Sequence, residues 1–294
     1  MEKTRPCTYC FLLLLAFATH CLLLASAATS PPATNPGRAK RALIIVDVQN
    51  CFTANGTLAV PNGNEVIPVI NGIRKRHEDR FEVVILSQDW HCSDHVSFAS
   101  QHEGKKVFDT VELNYDEEGR LCKDKDTTVK RQNGYAVDCD GPPAHTLTQV
   151  LWPDHCVIGT KDADFHPHLI QKATDIIIQK GNKCHIDSYS AFFDNGEFTS
   201  TPLHNILQLR GITTIYITGL ATDYCTYYTA VDAMQLGYKT FFVWDATRGI
   251  AKDTMQAARE DMLRKGVTVI NAADVENTFV EGTPLSSYGH WRKE

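Results

Sequence analysis

Thr214-Ile215-Tyr216-Ile217-Thr218-Gly219-Leu220-Ala221-Thr222-Asp223-Tyr224-Cys225 is the stretch that decides how this chain folds. Thr214–Thr218 is a short β-branched apolar run that passes through Gly219 into Thr222–Leu236, which reads as a helix. A strand that hands over to a helix within a few residues is the repeating unit of a parallel sheet. Similar runs recur outward from it, at Ala42–Val46, Glu82–Leu86, Asp175–Ile178, Thr240–Val243 and Val267–Ile270. Helical stretches fit between several of them. Asn64–His77 carries apolar Val66, Ile70 and Ile73, and Thr201–Leu209 and Lys252–Lys265 also read as helices. The expected fold is α/β, a three-layer α-β-α architecture with a mostly parallel central sheet covered on both faces. Ligands in such folds bind at the carboxyl ends of the strands. The residues just after each run are therefore the ones to weigh.

The 294 residues, 43% of them hydrophobic, suffice for one substantial core or two small ones. A net charge of -6 argues against nucleic acid as the main partner, because phosphate binding needs a basic face. Lys3 and Arg5 precede an apolar run from Phe11 to Ala25, interrupted by Thr19 and His20, and Ala25-Ser26-Ala27 offers small residues for cleavage. This is the pattern of a signal peptide over residues 1–27, since the run is short of the ~20 apolar residues that span a bilayer. The expectation is a secreted chain with no membrane attachment after cleavage. Residues 28–40 are Pro-rich and small and read as a flexible leader, followed by a single domain over 41–294. Glu103 to His145 is charged, Gly-containing and weakly periodic, and reads as an inserted surface loop or small excursion at about 103–145.

Asp47 ends the first apolar run, and a carboxylate at the mouth of a buried strand is desolvated, which raises its pKa and suits it to moving protons. Taken alone it reads equally well as a cap of the following turn. Asp89 and His91 follow the second run two residues apart, so extended chain puts them on one face. A carboxylate beside an imidazole is the start of a divalent-metal site. His155, in Trp152-Pro153-Asp154-His155-Cys156, is a candidate third ligand, with Pro153 fixing the backbone just before it. Lys180, after Ile176-Ile177-Ile178-Gln179, can point a cation into a crevice at the strand ends, with Lys183 as its competitor or a solvated turn as its alternative. Cys225 lies where a helix begins. There the helix dipole and free backbone N–H groups favour a thiolate and can hold an oxyanion, although a buried cysteine also serves as a small hydrophobe.

Taken in order, Val46-Asp47-Val48-Gln49, Asp89-Trp90-His91, Trp152-Pro153-Asp154-His155-Cys156, Lys180-Gly181 and Gly219-Leu220-Ala221-Thr222-Asp223-Tyr224-Cys225 resemble the nicotinamidases of the isochorismatase-like cysteine hydrolases. The likeness runs from about Ala42 to Val269. It implies cleavage of nicotinamide to nicotinic acid and ammonia, a reaction of NAD salvage. It implies a triad of Asp47, Lys180 and Cys225, and a divalent ion on Asp89, His91 and His155, zinc first with iron or manganese as alternatives. Phe52 and Trp152 would wall the pyridine ring with Tyr224 nearby, the N–H groups of Ala221 and Cys225 would form an oxyanion hole, and the Leu220–Ala221 peptide would be cis. The implied partner is the small-molecule substrate, with a homo-oligomer left open. Two positions depart from the family's common pattern: Cys51 stands where Asp is usual and Cys92 where Pro is usual. Isochorismatases lack the cysteine nucleophile, and related carbamoyl and ureido amidohydrolases keep the triad without the metal set. A related amidohydrolase acting on another aromatic or carbamoyl amide is one alternative. A secreted binding homologue that has lost activity is the other, and its signature would be a broken triad.

Export also frames the cysteines. Of ten, Cys7, Cys10 and Cys21 leave with the signal peptide, and the remaining odd number suggests one reserved thiol, Cys225. Cys122 and Cys139 are placed to staple the insertion, and Cys51 and Cys92 are candidates for a bridge to each other. Cys156 has a counterpart in family members from reducing compartments; as a simple buried thiol it would leave Cys184 unpaired too. Asn55-Gly56-Thr57 is an acceptor triplet for N-glycosylation in a turn-prone stretch.

Overall fold

The computed structural model describes residues 39–123, 135–139 and 141–280. The expected signal peptide and nearly all of the expected leader lie outside them. Six strands form one parallel sheet: β1 (Arg41–Val46), β2 (Val83–Asp89), β5 (Ile176–Lys180), β6 (Thr214–Leu220), β7 (Lys239–Arg248) and β8 (Thr268–Ile270). Each apolar run of the sequence thus becomes a strand. The order across the sheet is β5-β2-β1-β6-β7-β8. The chain moves outward from β1 to β5, then returns to β1's other side and moves outward again. The reversal falls between β1 and β6, and such a switch point opens a crevice at the carboxyl ends of the two strands.

The helices are α1 (Val66–His77), α2 (Leu203–Leu209), α3 (Cys225–Gln235) and α4 (Lys252–Lys265). Every residue of β1 is buried, and after Arg41 its run is continuously apolar rather than alternating. Leu43 and Ile45 pack in the same core as Val66, Ile67, Ile70 and Ile73 of α1. Ala42, Ile44 and Val46 face the other way, into a core shared with Leu203 and Leu207 of α2, Ala230 and Val231 of α3 and Met262 of α4. Two helical layers therefore sandwich the sheet. Residues 222–224, expected to be helical, are a turn; α3 begins at Cys225, its first helical residue.

Where the structure describes it, the insertion is a small excursion with strands of its own rather than a bare loop. β3 (Thr110–Tyr115) and β4 (His145–Val150) pair antiparallel, with Leu113 opposite Leu147. Thr146 Oγ1 donates to Asn114 Oδ1 and Thr148 Oγ1 to Glu112 Oε1, both at 2.8 Å. Val96, Leu113, Tyr115, Leu121, Ala136 and Ile186 make a small core of their own beneath the hairpin. The sequence hid these strands because their outward faces are polar.

Cys122 and Cys139 are joined, as expected, and Cys225 is free. The other pairing differs: Cys51 is bonded to Cys156, and Cys92 to Cys184. The bridge between Cys51 and Cys92 does not form, because the two chains diverge after their strands end. The Cys51 turn runs under residues 161–164, with Asn50 N donating to Asp164 O at 2.9 Å. The Cys92 segment runs toward β5's exit, where Val96 N donates to Cys184 O at 2.8 Å.

Candidate active site

Asp47, Lys180 and Cys225 meet at the crevice between the strand ends. Asp47, just past β1, is fully buried in the left-handed region at φ 49°. Ser87 Oγ on neighbouring β2 donates to its Oδ1 at 2.7 Å. Its Oδ2 lies 3.0 Å from Lys180 Nζ but accepts no aligned hydrogen bond among the described residues. One lone pair of a buried carboxylate is thereby left for a proton. Lys180 closes β5 and donates to Asp89 Oδ1 and to Ser188 O, each at 2.8 Å, with Cys225 Sγ 3.4 Å away. One ammonium therefore touches two carboxylates and the thiol. Lys183 is exposed and takes no part.

Burial sets the protonation of this group. It raises the Asp47 pKa above the usual carboxylate range, with Lys180 pulling the other way. Burial works against the Lys180 cation, but Asp47 and Asp89 outweigh it and hold the ammonium well above its ordinary range. Burial also pushes the Cys225 thiol well up, against the pull of Lys180. The helix start favours the thiolate, and burial works against it. The charges of Asp47, Asp89 and Asp187 add to the effect of burial. A thiol raised in this way would need a base beside it to act as a nucleophile.

Asp89, His91 and His155 converge from β2 and two loops. Nε2 of His91 lies 3.1 Å and Nε2 of His155 3.6 Å from the same oxygen, Asp89 Oδ2. The opposite ring nitrogens are committed: His91 Nδ1 is 2.9 Å from Gly181 O, and His155 Nδ1 is 2.8 Å from Pro153 O. A carbonyl can only accept, so Nδ1 carries a proton in each ring, and each Nε2 faces the same carboxylate oxygen, where an Nε2 freed of its proton is a metal ligand. Three acceptors aimed at one point fit a cation there, and outer-sphere carbonyls on ligating histidines are the usual support. Burial and the opposing charges of His91 and Lys180 compete at Asp89, and the charges win, holding its pKa well below the usual range. Gly181 is required here: it sits at φ +66°, and a Cβ on it would collide with the His91 ring.

A cavity opens beside these groups, lined in part by Phe52, Trp152, His155, Ala221, Tyr224 and Cys225. All three ring-walling residues expected from the sequence line it. Tyr224 meets the Trp152 ring edge-on at 4.8 Å, and Phe52 meets His155 at 5.5 Å. The Leu220–Ala221 peptide is cis, and Thr226 donates to Ala221 O through N at 3.2 Å and Oγ1 at 2.7 Å. This anchors the Ala221 peptide beside Cys225. The sequence reading missed Asp187 and Tyr189 in the same wall. Tyr189 OH accepts from Trp152 Nε1 at 3.3 Å and Gln149 Nε2 at 3.2 Å, and Gln149 also reaches Asp187 Oδ2 at 3.0 Å. Their loop lies beyond β5, with no periodic signal to mark it. Asn55 is exposed, at φ 70°, in the turn that follows Phe52.

An isochorismatase domain model matches residues 41–274, nearly the whole described chain. The chain belongs to the isochorismatase-like hydrolases. It is 40% identical over 235 residues to the nicotinamidase of Acinetobacter baylyi, covering 80% of this chain and 94% of that one. Among solved structures it is similar to a nicotinamidase and pyrazinamidase of Acinetobacter baumanii, at 39% identity and a TM-score of 0.66, covering 81% of this chain and 99% of that one. A second similar structure is the pyrazinamidase of Pyrococcus horikoshii in complex with zinc, at 30% identity and a TM-score of 0.56, covering 79% and 99%. Within this family of hydrolases the chain is an amidohydrolase of the nicotinamidase type.

Proposed function

We propose that this protein is a secreted enzyme that hydrolyses nicotinamide to nicotinic acid and ammonia through a thioester on Cys225. The observation that carries the reading is the single Lys180 ammonium within reach of Asp47, Asp89 and Cys225. The protonated resting thiol and the unengaged Asp47 lone pair divide the roles. Asp47 accepts the thiol proton as Sγ bonds to the carboxamide carbon. Lys180 keeps the site's charge balanced while negative charge moves from Asp47 to sulfur and on to the carbonyl oxygen. The N–H groups of Ala221 and Cys225 receive that oxygen. Collapse breaks the C–N bond, and Asp47 returns the proton to the departing ammonia. Water then attacks the thioester with Asp47 again as base, releasing the acid and restoring the thiol. Phe52, Trp152 and Tyr224 hold the flat ring and keep bulk water out.

Asp89, His91 and His155 would hold a divalent ion, zinc first given the zinc-bound relative, with iron or manganese as alternatives. Such an ion supplies Lewis-acid pull on the pyridine nitrogen, which orients the ring and withdraws electrons from the carboxamide. Export of the enzyme fits the signal-peptide pattern and the disulfides. The deciding experiment measures ammonia release from nicotinamide by the purified mature chain, with and without chelator. Turnover that chelation abolishes and zinc restores is expected; a metal-loaded enzyme with an intact thiol that releases no ammonia overturns the proposal.

A further inference from the structure

Two of the three disulfides among the described residues attach to residues next to the candidate histidine ligands. Cys92 follows His91 and is bonded to Cys184, at a Cα separation of 5.6 Å. Cys156 follows His155 and is bonded to Cys51, at 5.5 Å. We propose that these two crosslinks are positioning elements of the metal site, holding His91 and His155 aimed at Asp89 before any ion arrives. The inference rests on the metal site proposed above and adds the device that presets it.

The three ligands differ in how the fold holds them. Asp89 is the last residue of β2, paired with Lys180 across the ladder. The Gln49 side chain clamps its backbone from the other side, accepting from Asp89 N and donating to Asp89 O, both at 2.8 Å. His91 and His155 belong to no helix or longer strand. Their segments lean on each other through His91 N donating to Cys156 O at 3.1 Å and Ile158 N to His91 O at 2.9 Å. Two irregular segments joined by a pair of hydrogen bonds shift together unless something else fixes them.

Each crosslink ties its histidine to a partner of that same ring. Cys184 lies in the loop that starts at Gly181, whose carbonyl accepts from His91 Nδ1. Cys51 lies in the turn that also carries Phe52, whose ring packs against His155. Reaching 92 and 105 residues along the chain, these bonds tie the loops that follow β1, β2 and β5 to segments that local structure does not connect. Cys122–Cys139 spans only 17 residues within the hairpin insertion, and neither cysteine is next to His91 or His155 in the chain. It supplies a built-in control.

The test compares the full mature chain with three paired variants, C92S/C184S, C51S/C156S and C122S/C139S. Zn²⁺ and Co²⁺ affinities are measured by chelator competition, and folding by circular dichroism. Each of the first two pairs is expected to weaken metal binding by about 10- to 100-fold, as loss of ligand support does elsewhere. C122S/C139S is expected to stay within about twofold of the parent, whatever its effect on unfolding. Folded site-pair variants that bind as tightly as the parent, or a control that weakens equally, overturn the proposal. Should the serine pairs not fold, the oxidised parent is titrated with a non-chelating phosphine, tracking ion release against alkylation of each cysteine. Ion release that follows opening of Cys92–Cys184 or Cys51–Cys156 supports the clamp, and ion retention with both bonds open overturns it. A parent chain that takes up no ion at all overturns the metal site itself, a result distinct from loss of the clamp alone.

Discussion

Replacing Lys180 with methionine removes one buried positive charge and little volume. The ammonium is fully buried, 3.0 Å from Asp47 and 2.8 Å from Asp89. Asp89 keeps His91 as a neighbour, but Asp47 is left with the Ser87 hydroxyl alone. Removing one member of a buried ion pair costs about 3–5 kcal/mol, a large share of the ~5–15 kcal/mol that holds a domain folded. In the parent protein the raised pKa of Lys180 makes its contribution complete below the ordinary lysine range near ~10.4, to be lost as pH rises through the raised value. Asp89 is depressed, so its contribution is complete above the ordinary carboxylate range near ~3.9 and is lost as pH falls through the depressed value. In the variant Asp47, already raised by burial, rises further. The folded state then binds more protons than the unfolded state above the ordinary carboxylate range, so acid stabilises it, by up to ~1.4 kcal/mol per pH unit for one proton. Urea unfolding of the disulfide-intact chains at about pH 5.5 and about pH 8 measures this. The deficit should be largest at the higher pH and shrink toward acid. A deficit below ~1 kcal/mol at pH 8, the size of an exposed ion pair, or one that grows as pH falls, refutes the reasoning.

Three further outcomes are expected. Asp47 must be unprotonated to accept the thiol proton and burial raises its pKa, so the acid limb of the kcat/KM profile should lie above the ordinary carboxyl value of ~3.9; a limb at or below that value removes Asp47 as the base. Cys225→Ala should abolish ammonia release, and residual activity within about tenfold of the parent, ~1.4 kcal/mol in barrier, rules the residue out as nucleophile. Asn55, exposed on its turn with Thr57 Oγ1 bonded to Asp162 at 2.6 Å, should carry a glycan when the chain is made in secretory cells; an unchanged mass after glycosidase treatment counts against it.

The sequence alone carried the features that live within a few residues of each other. The apolar runs mark strands because a buried parallel strand must be apolar on both faces. Asp47, Asp89, Lys180 and Cys225 could be picked out because each stands at or just past a strand's end, where a crevice opens. The short spacing of Asp89 and His91 already put both side chains on one side. What depended on residues far apart needed the tertiary structure. The β3–β4 hairpin is held by Leu113 against Leu147 and by a small core drawn from distant segments, so its polar outer face left no pattern to read. Disulfide partners follow from where loops travel after their strands, and that separated Cys51 from Cys92 and delivered each to a different cysteine. Asp187 and Tyr189 enter the cavity wall because β5 lies beside β2, which no local spacing records. The protonation of Cys225 turned on the same distinction. A helix start is visible in sequence and favours the thiolate. The burial and the three carboxylates that hold the proton on sulfur exist only once strands and loops from across the chain have closed around it.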